Sequence, residues 1–157
     1  MSNQNTILLQ KDKADQTAEK LNDLLANMQV TYMNVRGYHW NIKGKQFFVL
    51  HEKFEELYDD LAEKIDEVAE RILMLEGKPL HSFTDYLKVS QIKEDTDVST
   101  SEKTVSSTIE GLQTLLSKER EILASADEAG DEGTIDLISG YISEQEKLIW
   151  MFSAFNK

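Results

Sequence analysis

The chain has 157 residues, a formal charge of −12 and no cysteine: one ordinary domain, able to bury a core without a staple, with thiolate metal sites, disulfides and cysteine nucleophiles excluded. Its 29 acidic against 17 basic side chains oppose nucleic acid and anionic lipid, and one proline with seven glycines is too little punctuation for an all-β fold. The opening MSNQNTILLQKDKADQ has no signal-peptide core and no apolar run is long enough to cross a bilayer, which predicts a cytoplasmic protein with no membrane role.

Residues 1–12 are expected to be a flexible N-terminal segment of a single domain spanning 1–157. Over 15–40, Leu21, Leu25, Met28, Tyr32 and Val35 recur with the spacing of an amphipathic helix, and His39 is next in phase. Gly44 is a stop signal, after which Leu50, Phe54, Leu57, Leu61, Ile65, Val68 and Ile72 form a second stripe, closed by Gly77 and Pro79. The connection running to about residue 98 is long for a helical hairpin, and Phe83, Tyr86 and Leu87 predict a short helix within it. A third helix is expected from 100–103, capped by Ser101 or Thr104, with Val105, Ile109, Leu112, Leu115, Leu116, Ile122 and Leu123 inward, ending near residue 127. After the turn AGDEG a last helix carries Ile135, Ile138, Tyr141, Ile142, Leu148, Ile149 and Phe152 almost to the end. The prediction is all-α: a ferritin-like four-helix bundle with a short extra helix in the long connection between helices two and three.

His39 and His51 flank the first turn, and an antiparallel hairpin brings them together. Glu55 lies one helical turn beyond His51, so the three form a candidate metal cluster. Asp66 and Glu70 make a second i, i+4 carboxylate pair on the same helix. Residues 51–70 hold nine acidic and two basic side chains, so a solvated acidic face is the competing explanation. Eleven residues separate Glu55 from Asp66, about 16 Å along a helix, while ligands sit ~2 to 2.5 Å from a metal ion. One chain therefore cannot close both clusters on one ion. Two copies of the second helix crossing antiparallel near Asp60 and Leu61 do so, giving two equivalent sites per dimer. No Glu-x-x-His pair, the mark of a di-iron site inside a single bundle, is present. Two imidazoles and three carboxylates suit Fe, Mn or Zn.

Residues 39–77, HWNIKGKQFFVLHEKFEELYDDLAEKIDEVAERILMLEG, strongly resemble the Dps family, the mini-ferritins of bacteria, through H-W-N-x-x-G-x-x-F-x-x-L-H and D-E-x-A-E-R-x-x-x-L. The helix pattern and the C-terminal IWMFSAFNK extend the resemblance over most of the chain. The resemblance implies a hollow homododecamer with ferroxidase sites at its two-fold interfaces, and puts the ligands on His39, His51, Glu55, Asp66 and Glu70, where Glu55 occupies a position that is Asp or Glu in the family. It implies that Fe2+ is oxidised to Fe3+, preferentially by hydrogen peroxide, without release of hydroxyl radical and without an organic cofactor, and that ferric mineral collects in the cavity. Trp40 resembles the site-adjacent tryptophan that intercepts oxidising equivalents, with a core aromatic as the alternative. Glu52 and Glu56 are candidates for mineral nucleation, with a solvated face as the alternative. Asp127, Glu132 and Asp136 resemble the acidic lining of the three-fold iron-entry pores; a polar turn with Asp131 or Asp136 at a helix N-terminus is the alternative.

The rival function is a nucleoid-associated, DNA-protecting shell whose metal site is structural. Direct DNA binding is expected to be weak or absent, because residues 1–20 hold three bases against three acids and only Lys157 follows the last helix.

Overall fold

The computed structural model describes residues 3–157. It contains α1 (Lys11–Asn41), α2 (Phe47–Met74), α3 (Phe83–Val89), α4 (Ser101–Ala129) and α5 (Glu132–Phe155). Among the described residues no strand forms beyond an isolated bridge between Gln4 and Gln10. The four long helices and the short helix of the long connection are those predicted. α1 starts ahead of its leucine stripe because its first turns bury Ala14, Thr17 and Ala18, small side chains that a reading of large apolar residues passes over.

The helix ends follow local chemistry. Gly44 takes a φ of 110° in the turn into α2, and Gly130 a φ of 64° at the end of α4, both in the left-handed region that a side chain disfavours. The N-cap of α4 is Thr100, whose hydroxyl accepts from the Lys103 N–H, rather than Ser101 or Thr104. Ser101 already lies inside the helix, and the Thr104 hydroxyl donates back to the Thr100 carbonyl. Asp131 caps α5, accepting from the Thr134 N–H.

α1 packs against α2 and α4, and α4 pairs with α5. Leu21, Leu25, Met28, Phe54, Leu61, Ile72, Leu112, Leu115 and Ile122 are among the large side chains that fill the centre. The long connection is tied to α1 by asparagines. Asn22 accepts from the Leu80 N–H and donates to the Lys78 carbonyl. The fully buried Asn27 accepts from the Ser90 hydroxyl and the N–H groups of Gln91 and Ile92, and Asn34 accepts from the Asp95 N–H while donating to the Lys93 carbonyl. Each satisfies backbone groups that would otherwise be orphaned against the bundle.

Residues 3–10 form a hydrogen-bonded turn in which buried Asn5 accepts from the N–H groups of Ile7 and Leu9, and residues 11 and 12 lie in α1. The rest of the segment expected to be flexible, residues 1 and 2, lies outside the described residues. Among the described residues no helix is long and apolar enough to cross a membrane.

Candidate metal centre

α1 ends and α2 begins so that His39 and His51 face each other across the Gly44 turn. Their rings stack at 3.8 Å between centroids and 13° between planes. Each imidazole is clamped by the other's backbone: His39 Nδ1 lies 2.6 Å from the His51 carbonyl oxygen, and His51 Nδ1 lies 2.8 Å from the His39 carbonyl oxygen. A carbonyl only accepts, so both Nδ1 atoms carry protons and donate. In the neutral rings both Nε2 atoms therefore keep a free lone pair, the state a metal requires.

The pair is held in an aromatic wall. Phe47 stacks on His51 at 4.9 Å, and the edge of Tyr58 meets His39 at 5.3 Å. His39 is buried and His51 half-buried, whereas Glu55, one turn further along α2, is exposed. At the other end of α2, Asp66 and Glu70 are both exposed. The Glu70 carboxyl is raised above the usual carboxylate range, first by its hydrogen bond with Asp66 and then by the like charge of Asp66. Two carboxylates this close repel, and a cation between them relieves the repulsion.

Among the described residues of one chain, no three His, Asp or Glu side chains converge to hold a metal ion. The histidine pair is formed, but Glu55 does not complete a three-ligand group with it, and Asp66 and Glu70 remain a separate pair about 16 Å along the helix. The donors present, imidazole nitrogen and carboxylate oxygen with an open side, fit a first-row divalent metal such as iron.

Trp40 is 57% exposed, which removes the core-aromatic alternative; the Arg36 guanidinium lies over its ring at 4.9 Å. Glu52 and Glu56 are exposed, and Glu56 pairs with Lys53 at 2.8 Å. Asp127, Glu132 and Asp136 are exposed around the α4–α5 turn. Asp131, buried at that turn, accepts from Arg71 at 2.6 Å besides capping α5, and so takes the structural role foreseen for it.

Several residues of the neighbourhood escaped the sequence reading. Tyr58 lies seven residues after His51, two helical turns along the same face, and Arg36 lies one turn from both Tyr32 and Trp40; those spacings were the available signal. Away from the histidine pair, Lys64, three residues after Leu61 and buried, also went unread; it pairs with Asp60 at 2.5 Å and Glu144 at 2.6 Å.

A bundle of four long helices with its long crossover between the second and third, and carboxylates and imidazoles projecting from two of them, defines a ferritin-like protein. The family described as Ferritin: Ferritin-like domain matches residues 18–157. The chain is similar to the DNA protection during starvation protein of Porphyromonas gingivalis, 51% identical over 147 residues that cover 94% of this chain and 92% of that protein. It superposes on the crystal structure of the Dps protein from Vibrio cholerae O1, there described as a member of a broad superfamily of ferritin-like diiron-carboxylate proteins. The TM-score is 0.98 at 54% identity, covering 100% of this chain and 99% of that one. A Dps protein from Bacillus brevis gives a TM-score of 0.90 at 36% identity, covering 93% and 98%. The chain belongs to the Dps family of ferritin-like proteins. Its family character is iron storage and protection, and iron is the metal implied for its donors.

Proposed function

We propose that the protein is a ferroxidase that oxidises ferrous iron at sites shared between two chains, preferentially with hydrogen peroxide. It stores the ferric product as mineral inside a hollow cytoplasmic dodecamer, and so removes both reactants of hydroxyl-radical formation together. The observation that carries this is a pair of donor groups set apart along α2: the clamped imidazoles of His39, at the end of α1, and His51, at the start of α2, with free Nε2 lone pairs, and the exposed carboxyls of Asp66 and Glu70 toward the far end of α2. The midpoint between residues 55 and 66 is also the midpoint between 51 and 70, and falls between Asp60 and Leu61. A single two-fold axis there sets Glu55 beside Asp66, and His51 beside Glu70, of the partner chain. Ala62, small and exposed next to that point, lets the two helices approach.

In each site His39, His51 and Glu55 come from one chain and Asp66 and Glu70 from the other. The two nitrogens bind Fe2+, and the carboxylates favour the harder Fe3+ product. Exposed Asp127, Glu132 and Asp136 would concentrate ferrous iron at a three-fold entry pore. Glu52, free of the ion pair that engages Glu56, is the better placed of the two nucleation residues.

The test is anaerobic ferrous loading followed by hydrogen peroxide, recording ferric absorbance, peroxide consumed and trapped hydroxyl radical. Rapid oxidation without radical is expected, abolished in Asp66→Ala; equal slow oxidation in both proteins would refute the proposed activity. The rival DNA-coating role has its own test. With a turn in place of a free basic tail at residues 3–10, the purified protein is expected not to shift duplex DNA at near-physiological salt and neutral pH. A salt-sensitive shift at low micromolar protein would reverse that assignment.

A further inference from the structure

Arg71 ties α2 to the turn between α4 and α5 through all of its guanidinium nitrogens. Nε donates to the Thr134 hydroxyl at 2.9 Å, Nη2 to Asp131 at 2.6 Å, and Nη1 to the Met74 sulfur at 3.6 Å. The guanidinium lies so close over Gly133 that a Cβ there would stand 2.7 Å from Nη2, so the turn is shaped to take it. Thr134 and Asp131 are buried, whereas Met74, the last residue of α2, is exposed. A thioether is a weak acceptor, so the bond to Met74 is the weak member of the set, and its acceptor is the one that an oxidant changes. Among the described residues Met28 is buried, Met151 is half-buried, and Met33 and Met74 are exposed to the same degree, 48% and 50%. Of these sulfurs only that of Met74 has a hydrogen-bond donor on it.

We propose that Met74 is a modification site: hydrogen peroxide oxidises its thioether to the sulfoxide, and Arg71 directs the reaction and then holds the product. A sulfur lone pair attacks one peroxide oxygen, an S–O bond forms and the O–O bond breaks. The departing hydroxide takes the proton of the transferred oxygen and leaves as water, so sulfur loses the two electrons that peroxide gains. No metal takes part, and the step stands apart from the iron oxidation proposed above. Negative charge develops on the peroxide oxygens as their bond breaks, and Nη1 stabilises it only on the side of the sulfur that it faces. The two lone pairs are thereby made unequal, and one sulfoxide epimer dominates. The sulfoxide oxygen is a far stronger acceptor than the sulfur, and its donor is cationic. Nε and Nη2 keep their partners because each bond uses a different N–H, so oxidation adds a hold on the turn without removing one. That turn carries Asp131 and lies among the exposed carboxylates of Asp127, Glu132 and Asp136, which places a record of peroxide exposure beside them.

The experiment treats the metal-free protein with excess hydrogen peroxide, stops the reaction with catalase at intervals, and maps added oxygen by peptide mass spectrometry. Portions of each digest are exposed to reductases that accept one sulfoxide epimer or the other. Met74 is expected to be oxidised about tenfold faster than the equally exposed Met33, the effect of about one hydrogen bond in the transition state, and to be restored by one reductase only. Met33 sulfoxide is expected to divide between the two. Equal rates, or both epimers at Met74, would overturn the proposal. Arg71→Lys keeps the charge and loses the planar fork, and is expected to return Met74 to the rate and mixture of Met33; a preference that survives it would overturn the role of Arg71. Should that variant fail to fold, the wild-type comparison of Met74 with Met33 decides alone. Hydrogen exchange reads the consequence: the amides of residues 131–134 are expected to exchange about tenfold more slowly in the oxidised wild type, and at an unchanged rate in peroxide-treated Met74→Leu. Exchange that is unaltered or faster in the oxidised wild type would overturn the hold on the sulfoxide.

Discussion

His51→Ala chains and Asp66→Ala chains are each expected to lose peroxide-dependent iron oxidation, and assemblies containing both are expected to regain about a quarter of the wild-type rate. The recovery follows from the two-fold axis between Asp60 and Leu61. When a His51→Ala chain meets an Asp66→Ala chain, one of the two shared sites receives both damaged positions and the other receives neither. With random pairing half of the dimers are mixed, and half of their sites are intact. A site built within one chain predicts no recovery at any mixing ratio, so activity measured after denaturing and reassembling the two variants together separates the arrangements. No recovery despite mixing proven by mass spectrometry would refute cross-chain ligation. Neither substitution removes a buried core group, since His51 is half-buried and Asp66 exposed, so assembly is expected to survive both.

Helix rise and ligand distance were enough to show from the sequence that Glu55 and Asp66 cannot serve one ion in one chain. The spacing of His39 and His51 about Gly44 was enough to bring the imidazoles together. What spacing could not supply is orientation. The reciprocal clamp of each Nδ1 on the other residue's carbonyl depends on the turn geometry at Gly44, and it alone leaves both Nε2 atoms free. The long connection was legible as an interruption between helices but not as an ordered one, because what orders it are polar side chains, Asn22, Asn27 and Asn34, on a helix otherwise read for its apolar stripe. Asp131 was placed near a helix N-terminus from sequence; its second partner, Arg71, is sixty residues away in the chain, a pairing that only the packing of α2 against α5 creates.

Replacing Glu119 by Gln is expected to stabilise the protein, by an amount that grows with pH. Glu119 lies on α4 in the bundle interior, is 0% exposed, and neither carboxylate oxygen has a hydrogen-bond partner. Burial pushes its pKa up to about 8. Gln145, Lys64 and Arg120 favour the charged form but do not offset desolvation: the Gln145 amide is close yet forms no aligned hydrogen bond, and the Lys64 ammonium is already engaged by Asp60 and Glu144. In the unfolded chain the same carboxyl titrates at the ordinary glutamate value of 4.5. Between those two values the unfolded chain has released a proton that the folded chain keeps, so folding stability declines as pH rises through this window and levels off above the folded pKa. The full cost of the shift is on the order of 3 to 5 kcal/mol. Glu119→Gln is nearly isosteric, carries no proton to lose, and can donate its amide to Gln145. Urea unfolding at fixed protein concentration, compared near pH 5 and near pH 9, is the measurement. The variant should gain little at the lower pH and most of that free energy at the higher one. An equal effect at both would mean that Glu119 is charged in the folded protein throughout, with Lys64 turned toward it rather than toward Asp60 and Glu144.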